Sequence, residues 1–190
     1  GDNNTALGYQ SLSANTTGIQ NVAIGTESMK SNTTGGLNTA LGVAAMAQNT
    51  TGARNIAIGH TAYDASDTEN DNIAIGYAAM TTNTAGGTLN VAVGNYALDA
   101  LTSGDNNTAV GHLALSAQTT ASDNTAVGYR SLATNIDGAG ATAVGRDSLY
   151  SNTTGTFNTA VGKYALWSNT TANSNTAVGY DSLQGNTTGA

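Results

Sequence analysis

A five-residue motif, Asn-Thr-Ala-Val-Gly with small variations, recurs at a nearly constant spacing along the whole chain. Its first copy occupies residues 4–8 and its last copy residues 175–179. Successive copies are 17 residues apart, except for one step of 18 between residues 72 and 90. The 190 residues hold eleven copies. A fixed period of this length is typical of solenoids, in which each repeat is one coil that stacks on its neighbours. The repeat therefore predicts a single array over residues 1–190, as a segment of a longer fibre.

Composition argues against nucleic-acid-binding and membrane-spanning proteins. The formal net charge is −7, whereas surfaces that bind nucleic acid or anionic lipid need clustered Lys and Arg. The five basic residues, which are Lys30, Arg54, Arg130, Arg146 and Lys163, are interpreted as scattered. Cys is absent and no apolar run is long enough to span a bilayer. We therefore expect no nucleic-acid partner, no membrane insertion, no cofactor and no enzymatic activity.

Several columns of the aligned repeat keep one residue type, counting the first Asn of the motif as position one. Position three is always Ala, position four Leu, Ile or Val, and position five Gly. Position one is Asn in ten copies, and position nine is Leu or Met in ten copies. In the first three copies these columns are Asn4, Asn21 and Asn38; Ala6, Ala23 and Ala40; Leu7, Ile24 and Leu41; Gly8, Gly25 and Gly42; and Leu12, Met29 and Met46. Equivalent residues of stacked coils share equivalent environments, so these columns are the predicted structural rows.

Short β-branched stretches bounded by Gly and Asn predict an all-β fold, a parallel β-solenoid (β-roll) of eleven 17-residue coils. A first strand is predicted at positions one to four, with the side chains of positions two and four on one face and Ala on the other. Gly at position five turns the chain. A second strand is predicted near positions eight to fourteen. The Asn columns at positions one and twelve predict ladders of side-chain amides.

The motif Asn-Thr-Ala-Val-Gly-Tyr-x-Ser-Leu resembles the head repeats of trimeric autotransporter adhesins and the repeat regions of phage tail fibres. An example is the segment from Asn21 to Gly25, followed by Ser28, and the resemblance covers every copy. It implies an extracellular β-roll, on a cell-surface appendage or a virion fibre, in which three parallel chains wind around a shared axis. The implied function is a structural shaft that supports attachment to surfaces. The expected partners are further copies of the chain, as a homotrimer or filament, and host-surface glycans.

Few residues suggest other chemistry. His60 and His112 both occupy position six, three coils and about 14 Å apart, so they are predicted to be surface residues that share no metal. Asp67, Glu69 and Asp71 form the one acidic cluster. Carboxylates of this kind can bind Ca²⁺, but a solvated turn is the favoured interpretation.

Two further patterns leave binding functions open. Asn-x-Thr triplets such as Asn32-Thr33-Thr34 look like glycosylation acceptors, although the turn consensus produces them automatically and backbone-satisfying Asn is favoured. Tyrosines at position six, together with Tyr150, Phe157 and Trp167 in the later copies, could stack on sugar rings. The position-six tyrosines are non-adjacent, which favours packing; they are Tyr9, Tyr77, Tyr129 and Tyr180. The alternative function is a glycan- or ice-binding solenoid module. Ice binding is suggested by Thr at position two in seven copies and is weakened by Val or Ile in the other four.

Overall fold

The fold is a stack of coils joined by one parallel sheet, in a computed structural model that describes residues 1–83 and 86–189. Each coil contributes one three-residue strand, and neighbouring strands pair in chain order with equivalent residues opposite each other, as Ala6 pairs with Ala23. The strands are β1 Thr5–Leu7, β2 Val22–Ile24, β3 Thr39–Leu41, β4 Ile56–Ile58, β5 Ile73–Ile75, β6 Val91–Val93, β7 Thr108–Val110, β8 Thr125–Val127, β9 Thr142–Val144, β10 Thr159–Val161 and β11 Thr176–Val178. The predicted all-β parallel solenoid is confirmed. In the described ranges no helix has the length and apolarity needed to cross a membrane.

The core is a pair of rows that run along the solenoid. Ala at position three points inward from every strand and is fully buried from Ala23 to Ala160, whereas Ala6 in β1 is exposed at the end of the sheet. Position nine supplies the large side chains, and residues such as Met29, Met46 and Leu115 are fully buried. Side chains at positions two and four point outward because successive residues of a strand alternate between faces. The coil is therefore narrow, and each coil buries its apolar groups against its neighbours.

The predicted second strand is wrong. Positions seven and nine have positive φ in every coil, for example 54° at Gln10 and 52° at Leu12. A residue in the left-handed region cannot continue a strand. This part of the coil consists of turns, in which Ser11 N–H donates to the Gly8 carbonyl and Asn15 N–H to the Leu12 carbonyl. Stacking still satisfies the backbone, since Leu12 N–H donates to the Ser28 carbonyl of the next coil at 3.1 Å.

Glycine at position five is required for two reasons, which are its positive φ and the close approach of the next coil. In the third coil Gly42 has a φ of 141°, a conformation that side chains disfavour, and a Cβ there would lie 2.4 Å from the Gly59 carbonyl oxygen of the next coil. The same pattern recurs along the column. The chain therefore turns at the end of each strand and brings successive backbones closer than any side chain would allow.

Two columns of asparagine connect the coils in different ways. At position twelve the amides bond to each other, with Asn32 Nδ2 donating to Asn15 Oδ1 at 2.9 Å and Asn49 Nδ2 to Asn32 Oδ1 at 2.8 Å. At position one the side chain mainly bonds backbone. Asn4 Oδ1 accepts from the Asn21 N–H at 2.9 Å, and Asn21 Nδ2 donates to a carbonyl of its own coil. A true amide ladder thus forms at position twelve, while position one mainly links side chain to backbone.

The position-twelve ladder is interrupted twice. Ser66 and Leu101 stand where other coils have an amide. In the described part of the chain, the buried oxygens Asn49 Oδ1 and Asn83 Oδ1, each one coil before an interruption, have no hydrogen-bond partner. From Gln118 to Asn186 the ladder is continuous again, since Asn135 Nδ2 donates to Gln118 Oε1 and later amides follow suit.

Candidate functional site

The turn that follows each strand carries a continuous row of aromatic rings in coils four to eight. It comprises His60, Tyr77, Tyr96, His112 and Tyr129, with successive ring centroids 5.5, 5.3, 6.1 and 5.7 Å apart. We call it the aromatic row. Sequence analysis missed its continuity because Tyr96 occupies position seven, whereas the other four rings occupy position six. The two histidines are separated by two tyrosines, so they do not meet.

Two of the four contacts in the aromatic row are face to face, whereas Tyr96 meets Tyr77 and His112 at steep angles, 74° and 86°. His60 lies within 15° of parallel to Tyr77, and His112 within 13° of parallel to Tyr129. Rings stacked in this way turn edges rather than faces toward solvent, whereas stacking on a sugar requires a free face. The geometry therefore favours the packing interpretation for this row, in which the rings hold adjacent coils together.

A cluster of charge lies where the aromatic row ends, in coils eight and nine. Asp147 is fully buried and accepts from both neighbouring arginines, from Arg130 Nε at 2.7 Å and from Arg146 Nε at 3.0 Å. The hydrogen bond to Asp147 holds the pKa of Arg130 above its ordinary value. One buried carboxylate thus fixes two guanidinium groups side by side, and together they leave one net positive charge.

Aromatic rings flank both guanidinium groups. Arg130 Cζ lies 5.1 Å from the Tyr129 ring centroid and 4.7 Å from that of Tyr150, and Arg146 Cζ lies 5.5 Å from Tyr129. Trp167 is stacked on Tyr150, with centroids 6.1 Å apart and planes within 9°. These five residues, Tyr129, Arg130, Arg146, Tyr150 and Trp167, are called the arginine–aromatic patch.

The basic residues are not all scattered, which corrects the sequence interpretation. Arg130, Arg146 and Lys163 occupy positions six or seven of three successive coils, and Lys163 Nζ lies 4.7 Å from the Tyr164 ring. Their separations of 16 and 17 residues match the repeat, so alignment to the period could have located the cluster. The other two basic residues lie elsewhere, Lys30 in an ion pair with Glu27 and Arg54 in one with Asp71.

The acidic residues of the fourth coil do not converge on one point. The buried Glu69 carboxylate accepts from Ser66 Oγ and from three backbone N–H groups. Asp71 is bound by Arg54 at 2.6 and 2.7 Å, and this hydrogen bond lowers the pKa of Asp71. Asp67 is exposed. The solvated-turn interpretation is therefore wrong for Glu69, and residues 1–83 and 86–189 contain no group of three or more metal-type side chains placed to hold an ion.

The asparagines of the Asn-x-Thr triplets in the position-twelve column form hydrogen bonds within the fold, whereas Asn3 and Asn106, which begin two further triplets, are exposed. Asn32 and Asn152 are fully buried, and each Nδ2 donates to both a ladder oxygen and a turn carbonyl. A sugar would have to be joined to this nitrogen. The structure thus agrees with the interpretation that these residues satisfy the backbone, since their amides are closed to modification in the folded chain.

The outward face of the sheet carries two parallel ranks of side chains. Position two presents an uninterrupted rank of threonines in five adjacent strands, which are Thr108, Thr125, Thr142, Thr159 and Thr176. Position four presents an aliphatic rank beside it, in which Leu41 is 45% exposed and Val127 36% exposed. In β4 to β6 position two is Ile or Val. The face is therefore mixed in its C-terminal half and apolar in its middle.

Comparison with protein-family models, with curated protein sequences and with solved structures yields no significant match to this chain.

Proposed function

We propose that the chain is a structural shaft, a rigid extracellular fibre segment that holds a surface-attachment element away from a cell or virion. The observation that carries this proposal is the unbroken stacking. All eleven strands belong to one sheet in one register, with no crossover. Stacked at the usual strand spacing of about 4.8 Å, eleven coils give a rod roughly 50 Å long.

Side chains add stiffness to this backbone stack. The amides at position twelve and the side-chain-to-backbone bonds at position one join successive coils inside the solenoid. The aromatic row joins five coils on the outside. Interactions of this kind connect each coil to its immediate neighbours, so length can be extended by adding repeats without redesigning the fold.

The proposed partners of the shaft are two further copies of the chain. The outward sheet face carries aliphatic side chains at position four, which are exposed in seven strands and half-buried in β2, β4, β5 and β6. Such a face is better covered than left in water. A homotrimer that places these faces around a common axis would cover them, in keeping with the resemblance to adhesin and tail-fibre repeats. Val127 and Leu41 would then lie at the shared axis.

Solution mass and electron microscopy test this proposal together. We expect a mass about three times 18.9 kDa and straight particles. Val127→Lys, which places a charge on the apolar rank, should reduce the mass to that of one chain. Thr120→Lys is the matched control, because Thr120 lies on an exposed turn, and it should leave the mass unchanged. A wild-type chain with the mass of a monomer would contradict the proposed trimer. Flexible or compact particles in the images would contradict the proposed shaft.

A second candidate function is glycan binding along the same rod. It is favoured by the arginine–aromatic patch, in which hydrogen-bond donors and aromatic rings lie together on an open surface. Shaft and glycan-binding functions are compatible, since the patch lies on the turns and the proposed trimer contact lies on the sheet.

Ice binding is the other binding function that the sequence leaves open. The five adjacent threonines of β7 to β11 favour it, because regularly spaced hydroxyl and methyl groups on one face of a sheet can order water. Thermal hysteresis of the purified chain at micromolar concentration tests it. A freezing point equal to the melting point would eliminate this function.

A further inference from the structure

We infer that the arginine–aromatic patch binds an acidic polysaccharide of the polyuronate class, in which each sugar ring carries one carboxylate. This inference names the ligand class for the glycan-binding candidate and rests on it. It is independent of the shaft and of the trimer.

The arginines of the patch have N–H donors that are available to a carboxylate ligand. Each arginine donates to Asp147 through Nε, and within the described ranges the terminal amino groups of Arg130 and Arg146 form no hydrogen bond with the protein. The Arg146 side chain is 55% exposed and that of Arg130 34% exposed. Paired N–H groups of a guanidinium match the two oxygens of a carboxylate. The free donors therefore point to a carboxylate ligand.

The two guanidinium groups are positioned before any ligand arrives. Asp147 is buried and accepts hydrogen bonds from both Nε atoms, and Arg130 Cζ lies over the rings of Tyr129 and Tyr150. Side chains already fixed in place lose less conformational freedom on binding than free ones do. A solvent-exposed arginine without such partners, as found on most surfaces, lacks this advantage.

The arginine–aromatic patch and its surroundings are positively charged, although the chain as a whole is negatively charged. The chain carries a net charge of −7, but positions six and seven of coils eight to ten hold three cations and one carboxylate, Asp147. Asp181 follows in the eleventh coil, where its N–H donates to the Lys163 carbonyl. A local positive region on an acidic rod attracts anions there and repels them elsewhere.

The spacing of the cations favours a polymer of sugars over a single anion. Arg130, Arg146 and Lys163 belong to successive coils, and coils repeat at about 4.8 Å. A linear polyuronate also carries one carboxylate per ring, so a short segment of it presents several anions to neighbouring coils. Tyr150 and Trp167, at position ten of coils nine and ten, form the aromatic side of the patch, and Trp167 is 37% exposed. Among the described residues the Trp167 ring is stacked on Tyr150 alone, so its second face is available to a sugar ring.

The binding test compares probes that differ in one property. Trigalacturonic acid and its fully methyl-esterified form have the same rings, but only the first is charged. Triglutamate has three side-chain carboxylates on a peptide backbone. Each probe is titrated into the wild-type chain by isothermal calorimetry and by NMR, at low and at physiological ionic strength. Arg146→Gln removes one guanidinium, and Arg54→Gln makes the same change in an ion pair outside the patch.

We expect trigalacturonic acid to bind at least about tenfold more tightly than its methyl ester, which corresponds to one charge-assisted contact. Its affinity should fall as salt is added. Arg146→Gln should weaken it by a similar factor and Arg54→Gln should not, with melting curves showing that both variants are folded. NMR shifts should concentrate at Tyr150 and Trp167.

Each contrary result has its own meaning. Equal binding of the acid and the ester, or no effect of Arg146→Gln, would overturn the polyuronate assignment and leave glycan binding standing. Equally tight binding of triglutamate would overturn the assignment to a sugar. Absence of binding by both saccharides would overturn the inference and count against the glycan-binding candidate itself.

Discussion

The backbone N–H of Ala141 donates a hydrogen bond of 2.8 Å to Asn124 Oδ1. Ala141 stands at position one, where the other ten coils have Asn, so it offers no side-chain oxygen to the N–H of Asn158 in the next coil. The step from the ninth coil to the tenth therefore lacks one of the bonds that the other coils repeat.

Restoring this bond should stabilise the chain. We expect Ala141→Asn to raise the free energy of unfolding by about 1 kcal/mol, the usual net contribution of one hydrogen bond. The melting temperature would rise by roughly 2–4 °C, measured by circular dichroism. A lower melting temperature would mean that the buried site of Ala141 has no room for the amide.

Glycine at position five should not be replaceable. Gly59→Ala would place a Cβ 2.3 Å from the Gly76 carbonyl oxygen at a φ of 137°, and we expect a loss of about 3 kcal/mol or more. Gly185→Ala is the matched control, because a Cβ at Gly185 meets no atom within 4 Å. Equal melting temperatures for the two variants would contradict the close approach of coils at this corner.

Asp99 should make the chain less stable at neutral pH than its amide counterpart. Burial raises the pKa of Asp99, and its Oδ1 has no hydrogen-bond partner in the described part of the chain. A carboxyl whose folded pKa exceeds its unfolded value favours folding when neutral, so its contribution is present at low pH and is lost as pH rises through the folded pKa. We therefore expect Asp99→Asn to have the higher melting temperature at pH 7.

The pH dependence distinguishes this effect from a general loss of charge. The difference between Asp99→Asn and wild type should vanish below about pH 4, the usual range of an unfolded Asp, when melting curves are recorded from neutral to acidic pH. Asp67→Asn, at an exposed turn, controls for the removal of one negative charge. A difference that persists unchanged at acidic pH would exclude titration of Asp99 as its cause.

Tyr96 should contribute more to stability than another exposed tyrosine. It joins Tyr77 and His112 across two coil boundaries, and an aromatic pair contributes about 0.5–1.5 kcal/mol beyond burial. Tyr9→Ala is the comparison, since the ring of Tyr9 forms no aromatic pair among the described residues. The idea fails if urea titration gives the same loss for Tyr96→Ala and Tyr9→Ala.

The strand and the core could be predicted because their residue types recur at fixed positions of the aligned repeat. Ala23 and Met29 repeat every 17 residues, and a residue type kept at one position reflects a shared environment. The second strand could not be excluded in the same way. Leu12 and Met29 are β-compatible side chains, and nothing in their identity reveals the positive φ that stacking imposes on them. At these positions the hydrogen bonds to the next coil outweigh the preference of the side chains for a strand.

The patch illustrates a different limit of sequence reasoning. Asp147, Arg130 and Arg146 occupy positions six and seven, where residue types vary from coil to coil, so no column marks them. Their proximity follows from the repeat length alone, but their shared carboxylate depends on the side-chain directions of the turn. The cluster could therefore have been located by alignment to the period, whereas the shared carboxylate is visible only in three dimensions.

The interruptions at Ser66 and Leu101 imply that the rod is not mechanically uniform. From Gln118 to Asn186 the amides at position twelve connect every coil, whereas the four successive steps from the third coil to the seventh lack that link. Cooperative unfolding units follow such boundaries. Pulled from its two ends, the molecule should fracture first between the third and seventh coils, and the C-terminal five coils should be the last to yield.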